Sequence, residues 1–291
     1  MTTKFYINNS SLPLLTCSRR YHLTVGKGLK LPPGGNKFTN VGLAFHELMA
    51  DAKAGVSTAI KGLMPPDEHS FMFKITATQR AQVAQLAEKI LIEHPEMFGP
   101  DALRERWFEI PLEGFDTASS QPVLCGTIDH ILYDPAEDAA IITDYKSTAK
   151  PLDLTLESSY ALTFQRWFYI IAASLDDSLP DNIKSAIAKD RIKFRYCFAN
   201  YETNTYLLQT PEWVDVNDLS KARELLMDKI LLAQAIVSNP ALAIPDGTTT
   251  GACYSCAFRS ICLAKNPADA QAFMDNWYLG YKPYYPRHDD K

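Results

Sequence analysis

Apolar positions recur at helical spacing over Val41–Ala54, over Thr78–Glu93, over Leu156–Ser174 and over Asn217–Val237, and each stretch predicts a helix. The second carries Val83, Leu86, Ala87, Ile90 and Leu91 on one side and stops before Pro95; the fourth carries Leu219, Ala222, Leu226 and Ile230 and stops before Pro240. Ser10 or Ser11 can cap a short helix with Pro13 in its first turn, and another short helix follows Cys262. Strands are predicted over Arg104–Leu112, taken as the first of the sheet, and over Ile192–Asn200 and Thr205–Gln209.

Two β-branched apolar runs, Val123–Asp134 and Ala139–Thr148, flank Pro135-Ala136-Glu137-Asp138, whose composition is that of a turn. A four-residue loop there sets Asp134 against Ala139 and Asp129 against Asp144. Side chains alternate along a strand, so Asp129, Asp144 and Lys146 share one face. Directly opposed residues stand roughly 4.5–5.5 Å apart at Cβ, where like charges repel. Ile128, Ile131, Leu132, Ile141 and Ile142 make the rest of the hairpin apolar, as expected inside a sheet covered on both sides. Two carboxylates meeting there need a cation, and an oxygen-rich site suits Mg²⁺ or Mn²⁺. A neighbouring lysine can orient a water or neutralise charge developing on a phosphate. The residues thus point to metal-dependent cleavage of a phosphodiester.

With 291 residues the chain can build one large domain or two modest ones. Its 46% hydrophobic and 22% charged residues are those of an ordinary globular protein. A net charge of −5 gives no global attraction to nucleic acid, so any DNA contact needs a local basic surface. No window approaches the roughly 18 uninterrupted apolar residues of a membrane span. The start MTTKFYINNS is too polar for a signal peptide, so the expected compartment is the cytoplasm, with no membrane association. The Gly26–Lys37 segment, rich in Gly, Pro and Lys, is a predicted loop, but GxxxxGK[ST] is absent throughout, which removes a motor or helicase module.

Cys253, Cys256 and Cys262 form C-x2-C-x5-C, and Cys17 stands alone near the N-terminus. Four thiolates complete a coordination shell for zinc or for an iron–sulfur cluster, and spacing does not choose between them; separate buried thiols are the other reading. Closing the chain through these four would make a structural clasp, since a long loop restricts the unfolded chain. It would gather Arg19, Arg20 and Arg259 into a landing for a DNA backbone, although an ordinary solvated surface explains the same arginines. Cys125 and Cys197 lie in apolar strand patterns and are expected in the core.

Asp129…Asp144-Tyr145-Lys146 resembles the signature of the PD-(D/E)XK nuclease superfamily. VGLAFHELM around His46, Gly126-Thr127-Ile128-Asp129, and Gln165-Arg166-Trp167-Phe168-Tyr169 are similar to the histidine, GxxD and QxxxY motifs of its RecB-like branch. LLTCSRRY together with C-x2-C-x5-C resembles the four-cysteine clasp of AddB and of the CRISPR-associated RecB-like exonucleases. The resemblance runs from Cys17 to Cys262. It implies an α/β restriction-endonuclease-like core: a central mixed sheet flanked by helices, with N- and C-terminal segments joined by a [4Fe–4S] cluster on Cys17, Cys253, Cys256 and Cys262. Residues 1–265 would form one nuclease domain and 266–291 a short helix with an aromatic tail. It further implies a DNA exonuclease whose cation is held by His46, Asp129, Asp144 and the backbone carbonyl of Tyr145. Lys146 would activate the water, and Gln165 and Tyr169 would hold the site or the DNA. Ser18 stands where a proline often follows the first cysteine, and Asp144 where glutamate is commoner, which shortens the reach to the metal.

Without these motifs His46 and Tyr169 would be taken as core residues. Glu109, on the strand before the hairpin, is either a further acid of the site or a solvent-facing residue. The aromatic tail after Asn276 can pack on the domain or stack on bases. The expected partners are DNA, single-stranded or with free ends, and a protein of recombination or CRISPR adaptation. The rival readings are a non-catalytic subunit that binds DNA ends or adapts a partner, and a zinc-stapled interaction protein.

Overall fold

The structure, a computed structural model, describes residues 3–27, 29, 37–51, 74–114, 120–161, 163–244, 253, 256, 258–264 and 266–275. Most of the predicted loop after Gly26 and all of the aromatic tail lie outside those residues. In chain order the elements are β1 (Thr3–Ile7), α1 (Ser18–Tyr21), α2 (Lys37–Asp51), α3 (Ala77–Glu93), β2 (Leu103–Pro111), β3 (Ser120–Asp134), β4 (Ala139–Thr148) and α4 (Leu154–Ala161). They continue with α5 (Gln165–Leu175), α6 (Asp181–Ala188), β5 (Ile192–Asn200), β6 (Thr205–Leu208), β7 (Glu212–Trp213), α7 (Val216–Ser238), α8 (Arg259–Cys262) and α9 (Pro267–Asp275). They fall into two compact units, a larger one of residues 35–108 and 127–220 and a smaller one of 1–34, 109–126 and 221–291.

In the larger unit the turn at Pro135–Asp138 folds β3 onto β4 in the expected register, from Asp134↔Ala139 to His130↔Thr143. Asp138 makes the reversal at φ +47°, in the left-handed region that aspartate tolerates. β4 then pairs parallel with β5, and β5 pairs antiparallel with β6 and β7, so the sheet is mixed. On the face that presents Tyr145, Cys197 and Ala199, α2 lays Val41, Phe45 and Met49 and α3 lays Val83, Leu86 and Ile90 into one core. On the other face Tyr160 of α4 meets the rings of Tyr196 and Phe198, with centroids 5.9 and 5.4 Å apart. Both faces are covered, as the apolar hairpin requires, and the architecture is the α/β class expected. Cys197 is buried as predicted, and burial pushes its thiol up to about 12.

α3 starts on a capping box: the Thr76 hydroxyl accepts from the Gln79 amide, while the Gln79 side chain accepts from that of Thr76. The single helix expected over Leu156–Ser174 is two, α4 and α5. At the break both the amide and the hydroxyl of Thr163 donate to the Tyr160 carbonyl, a local bond that competes with the helical ladder. α6 and β7 were not expected; their eight and two residues are too short for a periodic signal.

In the smaller unit β1 pairs parallel with the first part of β3, Thr3↔Ser120 to Ile7↔Leu124, so β1 and not the Arg104–Leu112 run is the first strand. Ser11 precedes a 3₁₀ turn over Leu12–Thr16; its hydroxyl bonds Asn8 instead of the turn's amides, and Pro13 lies in the first turn as expected. Leu23 and Leu29 pack with Phe258 and Ile261 of the C-terminal segment, and Cys256 lies against them. Cys125 is buried, its thiol held up at about 12.

Candidate active site

The larger unit brings the acids together where the β3–β4 ladder ends. One step past His130↔Thr143, the Asp129 carboxylate itself accepts the Tyr145 amide, at 2.7 Å. A side chain thus takes a place in the main-chain bonding, which fixes its aim. Asp144 points to the α4 side of the sheet, where Lys146 sets its ammonium 2.5 Å from Oδ2 and 5.7 Å from the centre of the Tyr160 ring. His46 comes from α2 on the other side, seated edge-on against the rings of Phe45 and Tyr145. Its Nδ1 lies 3.4 Å from Asp129 Oδ1 and 3.1 Å from Glu105 Oε1. Asp129 is therefore the residue on which both sides meet.

Asp129 is 5% exposed and Asp144 fully buried. Burial works against the charge on Asp129, but His46, Lys146 and the Tyr145 N–H together hold its pKa below the ordinary carboxylate value. Asp144 is less well supported. Burial lifts it to about 7, and Asp129 adds to the lift against the pull of Lys146. Apart from the Lys146 ammonium, neither of its oxygens has a hydrogen-bond partner among the described residues. Burial would lower Lys146 and His46, yet the carboxylates outweigh it: Asp144 and Asp129 hold Lys146 up, and Asp129 and Glu105 raise His46 well above its usual value. Three carboxylates thus face two cations, and one buried carboxylate is left with an ion pair alone. Such an excess of negative charge in a buried cluster is costly unless a further cation joins it. The donors fit a divalent ion, and His46, Glu105 and Asp129 offer three ligand atoms within 4.8 Å of one another.

Gln165 and Tyr169 share a face of α5 as their spacing predicted, and the Gln165 amide donates to the Tyr169 hydroxyl at 2.8 Å. Burial, then Asp129 and Asp144, keep the phenol protonated. Glu105 is the acid that sequence reasoning missed. Glu109, the residue weighed instead, belongs to the smaller unit and faces Lys4 at 3.6 Å and the Tyr6 hydroxyl at 3.4 Å. The signal for Glu105 was hidden because it sits at φ +44° inside β2, which breaks the strand alternation.

In the smaller unit Cys17 is buried and Cys253, Cys256 and Cys262 are partly so. Burial raises the Cys262 thiol; Arg19 lowers it, while Cys256, Cys17 and Cys253 each raise it. The other three thiols therefore lie within electrostatic reach of Cys262. Arg19 is anchored through its amide to the Ile244 carbonyl, and Arg20 is partly exposed and Arg259 exposed.

A model of the PD-(D/E)XK nuclease superfamily matches residues 13–263. No curated protein matches the chain. Among solved structures, the crystal structure of SSO0001 is similar at 16% identity over 90% of this chain and 87% of that chain, with a TM-score of 0.35, too slight a likeness to carry weight. No helix among the described residues is long and apolar enough to cross a membrane.

Proposed function

This chain belongs to the PD-(D/E)XK nuclease superfamily, and on that premise we propose that it is a divalent-metal-dependent deoxyribonuclease of the RecB-like kind, an exonuclease acting on DNA ends. The observation that carries the reading is the meeting of Asp129, Asp144 and Lys146 beside His46. His46, Asp129, Asp144 and the Tyr145 carbonyl hold Mg²⁺ or Mn²⁺. When bound, the ion acts as a Lewis acid on the phosphate and makes the attacking water more acidic. Lys146 keeps its proton, because two carboxylates outweigh its burial. It serves as donor and counter-charge to the phosphoryl oxygens and not as a base. Gln165 spends one amide hydrogen on the Tyr169 oxygen, which leaves the phenolic hydrogen to donate to a DNA phosphate.

Cys17, Cys253, Cys256 and Cys262 hold a [4Fe–4S] cluster that clasps the chain ends. The packing of Leu23 and Leu29 on Phe258 and Ile261 supports this by bringing the two segments together. Arg19, Arg20 and Arg259 contact the DNA backbone. The setting is cytoplasmic recombination, repair or CRISPR spacer acquisition, with a protein partner in that pathway. The test is anaerobic purification followed by digestion of end-labelled single- and double-stranded DNA with Mn²⁺ or with EDTA. Wild type digests ends with Mn²⁺ only, and Lys146→Ala slows it at least about a hundredfold. Undiminished digestion by that variant overturns the reading, and binding of ends without cleavage by wild type would favour a non-catalytic end-binding subunit.

A further inference from the structure

The ligand set that the resemblance supplies omits the carboxylate nearest His46. Glu105 lies on β2, outside every motif of the chain, and its Oε1 stands 3.1 Å from His46 Nδ1. Asp129 Oδ1 stands 3.4 Å from the same nitrogen. A six-coordinate ion with ligands at about 2.1 Å separates neighbouring ligands by about 3.0 Å. The nitrogen therefore already stands close to such a spacing from each carboxylate, and the three ligand atoms lie within 4.8 Å of one another. On the α4 side of Asp129 stands Asp144, fully buried, its carboxylate paired with the Lys146 ammonium alone. Three carboxylates, two of them buried, thus stand against only the Lys146 ammonium and the His46 ring, which marks the place as one that takes a cation. Glu105 is also the only non-glycine among the described residues to hold a positive φ inside a strand; the others, Asp138, Asp190 and Asn204, sit in turns. A left-handed glutamate is strained, and here that conformation belongs to the residue whose carboxylate faces His46.

We propose that Glu105 is itself a ligand of the cation and that His46, Glu105 and Asp129 form its seat in the protein without DNA. This rests on the metal-dependent reading above and extends it. A nitrogen with two carboxylates suits Mn²⁺ better than Mg²⁺, which prefers oxygen alone.

The experiment measures Mn²⁺ binding to the full chain without DNA, by the electron paramagnetic resonance signal of free Mn²⁺. Glu105→Gln keeps an oxygen for the His46 N–H but removes the charge, so it separates a ligand from a residue that merely orients the imidazole. Its Kd should rise about tenfold or more. Glu109→Gln, which alters a contact with Lys4 and Tyr6, should leave Kd as in wild type. Should the Gln variant fail to fold, Glu105→Asp, which withdraws the carboxylate by one methylene, is held to the same threshold. A Glu105 variant that binds Mn²⁺ as wild type does overturns the proposal alone. A wild-type protein that binds no Mn²⁺ overturns the metal-dependent reading with it.

Discussion

The acid site and the thiol site are assembled in opposite ways. In the larger unit every candidate ligand rides on a strand or helix whose other face is locked into a core: His46 on α2 beside Phe45, Asp144 between the ladders of β4, and Asp129 in the main-chain bonding itself. The side chains stand in place before any ion arrives, at the expense of a buried and poorly paired carboxylate. In the smaller unit three of the four cysteines lie partly exposed on turns and the four-residue α8, and four buried apolar residues hold the two chain segments together. A preformed site draws its precision from the fold, whereas a site on turns draws much of its order from what it binds. The contrast is one of pre-organisation, and it can be tested.

Phe258→Ala has the largest expected effect. It deletes the largest of the four side chains behind the thiol loop and should cost about 3–5 kcal/mol of that unit's stability. Hydrogen exchange followed by mass spectrometry should show peptides over 17–29 and 258–264 exchanging faster, with those over 124–148 unchanged. Mn²⁺ affinity should stay as in wild type, since the acid site and this cluster share no side chain. Loss of Mn²⁺ binding in step with the thiol segment would break the contrast.

The acid site was legible where chemistry followed the period of a strand. The turn at Pro135–Asp138 and the alternation on either side fix a register, and a register fixes which side chains can meet, so Asp129, Asp144 and Lys146 could be placed from spacing. Gln165 and Tyr169 followed from the four-residue step of a helix, even though the helix around them had to be divided at Thr163. Glu105 could not be read, because a left-handed residue inverts the face of a strand and no residue type announces it. β1 was missed for another reason. TKFYI is short and lies in a polar stretch, and its partner is more than a hundred residues away, at Ser120–Leu124.

A smaller effect comes from the histidines that each unit keeps neutral. His130 is fully buried and donates from Nε2 to the Met97 carbonyl at 2.7 Å. Burial holds its pKa at about 4, below the ordinary 6.5. The unfolded chain takes the proton near 6.5 and the folded chain refuses it until about 4. The stabilisation is therefore complete above 6.5 and is lost as pH falls from 6.5 to 4, by roughly 3 kcal/mol. His22 of the smaller unit shifts the same way, through burial and then Lys27 and Arg19. His130→Gln keeps a donor for Met97 but takes no proton. The stability difference between wild type and variant, from urea unfolding at pH 7, 5.5 and 4.5, should shrink as pH falls. Asp144 acts with the opposite sign but equally in both proteins. Parallel curves would show that His130 is not held neutral.

The finest test concerns how stiffly α2 holds His46. Gly42 lies one helical turn before it, and a Cβ built there would come within 2.9 Å of Ser147 Oγ, one residue past Lys146. Gly42→Ala gains about 0.5–1 kcal/mol of helix propensity and meets the tip of a short side chain that can rotate. If the site is as firmly seated as its packing implies, Ser147 yields and the helix does not. Stability should then change by less than about 1 kcal/mol and Mn²⁺ affinity by less than about threefold. Adding Ser147→Ala removes the atom that the new methyl meets and should return affinity to the wild-type value. A tenfold loss in Gly42→Ala that the second substitution repairs would mean that α2 moves instead, and that the acid site is less rigid than its contrast with the thiol loop requires.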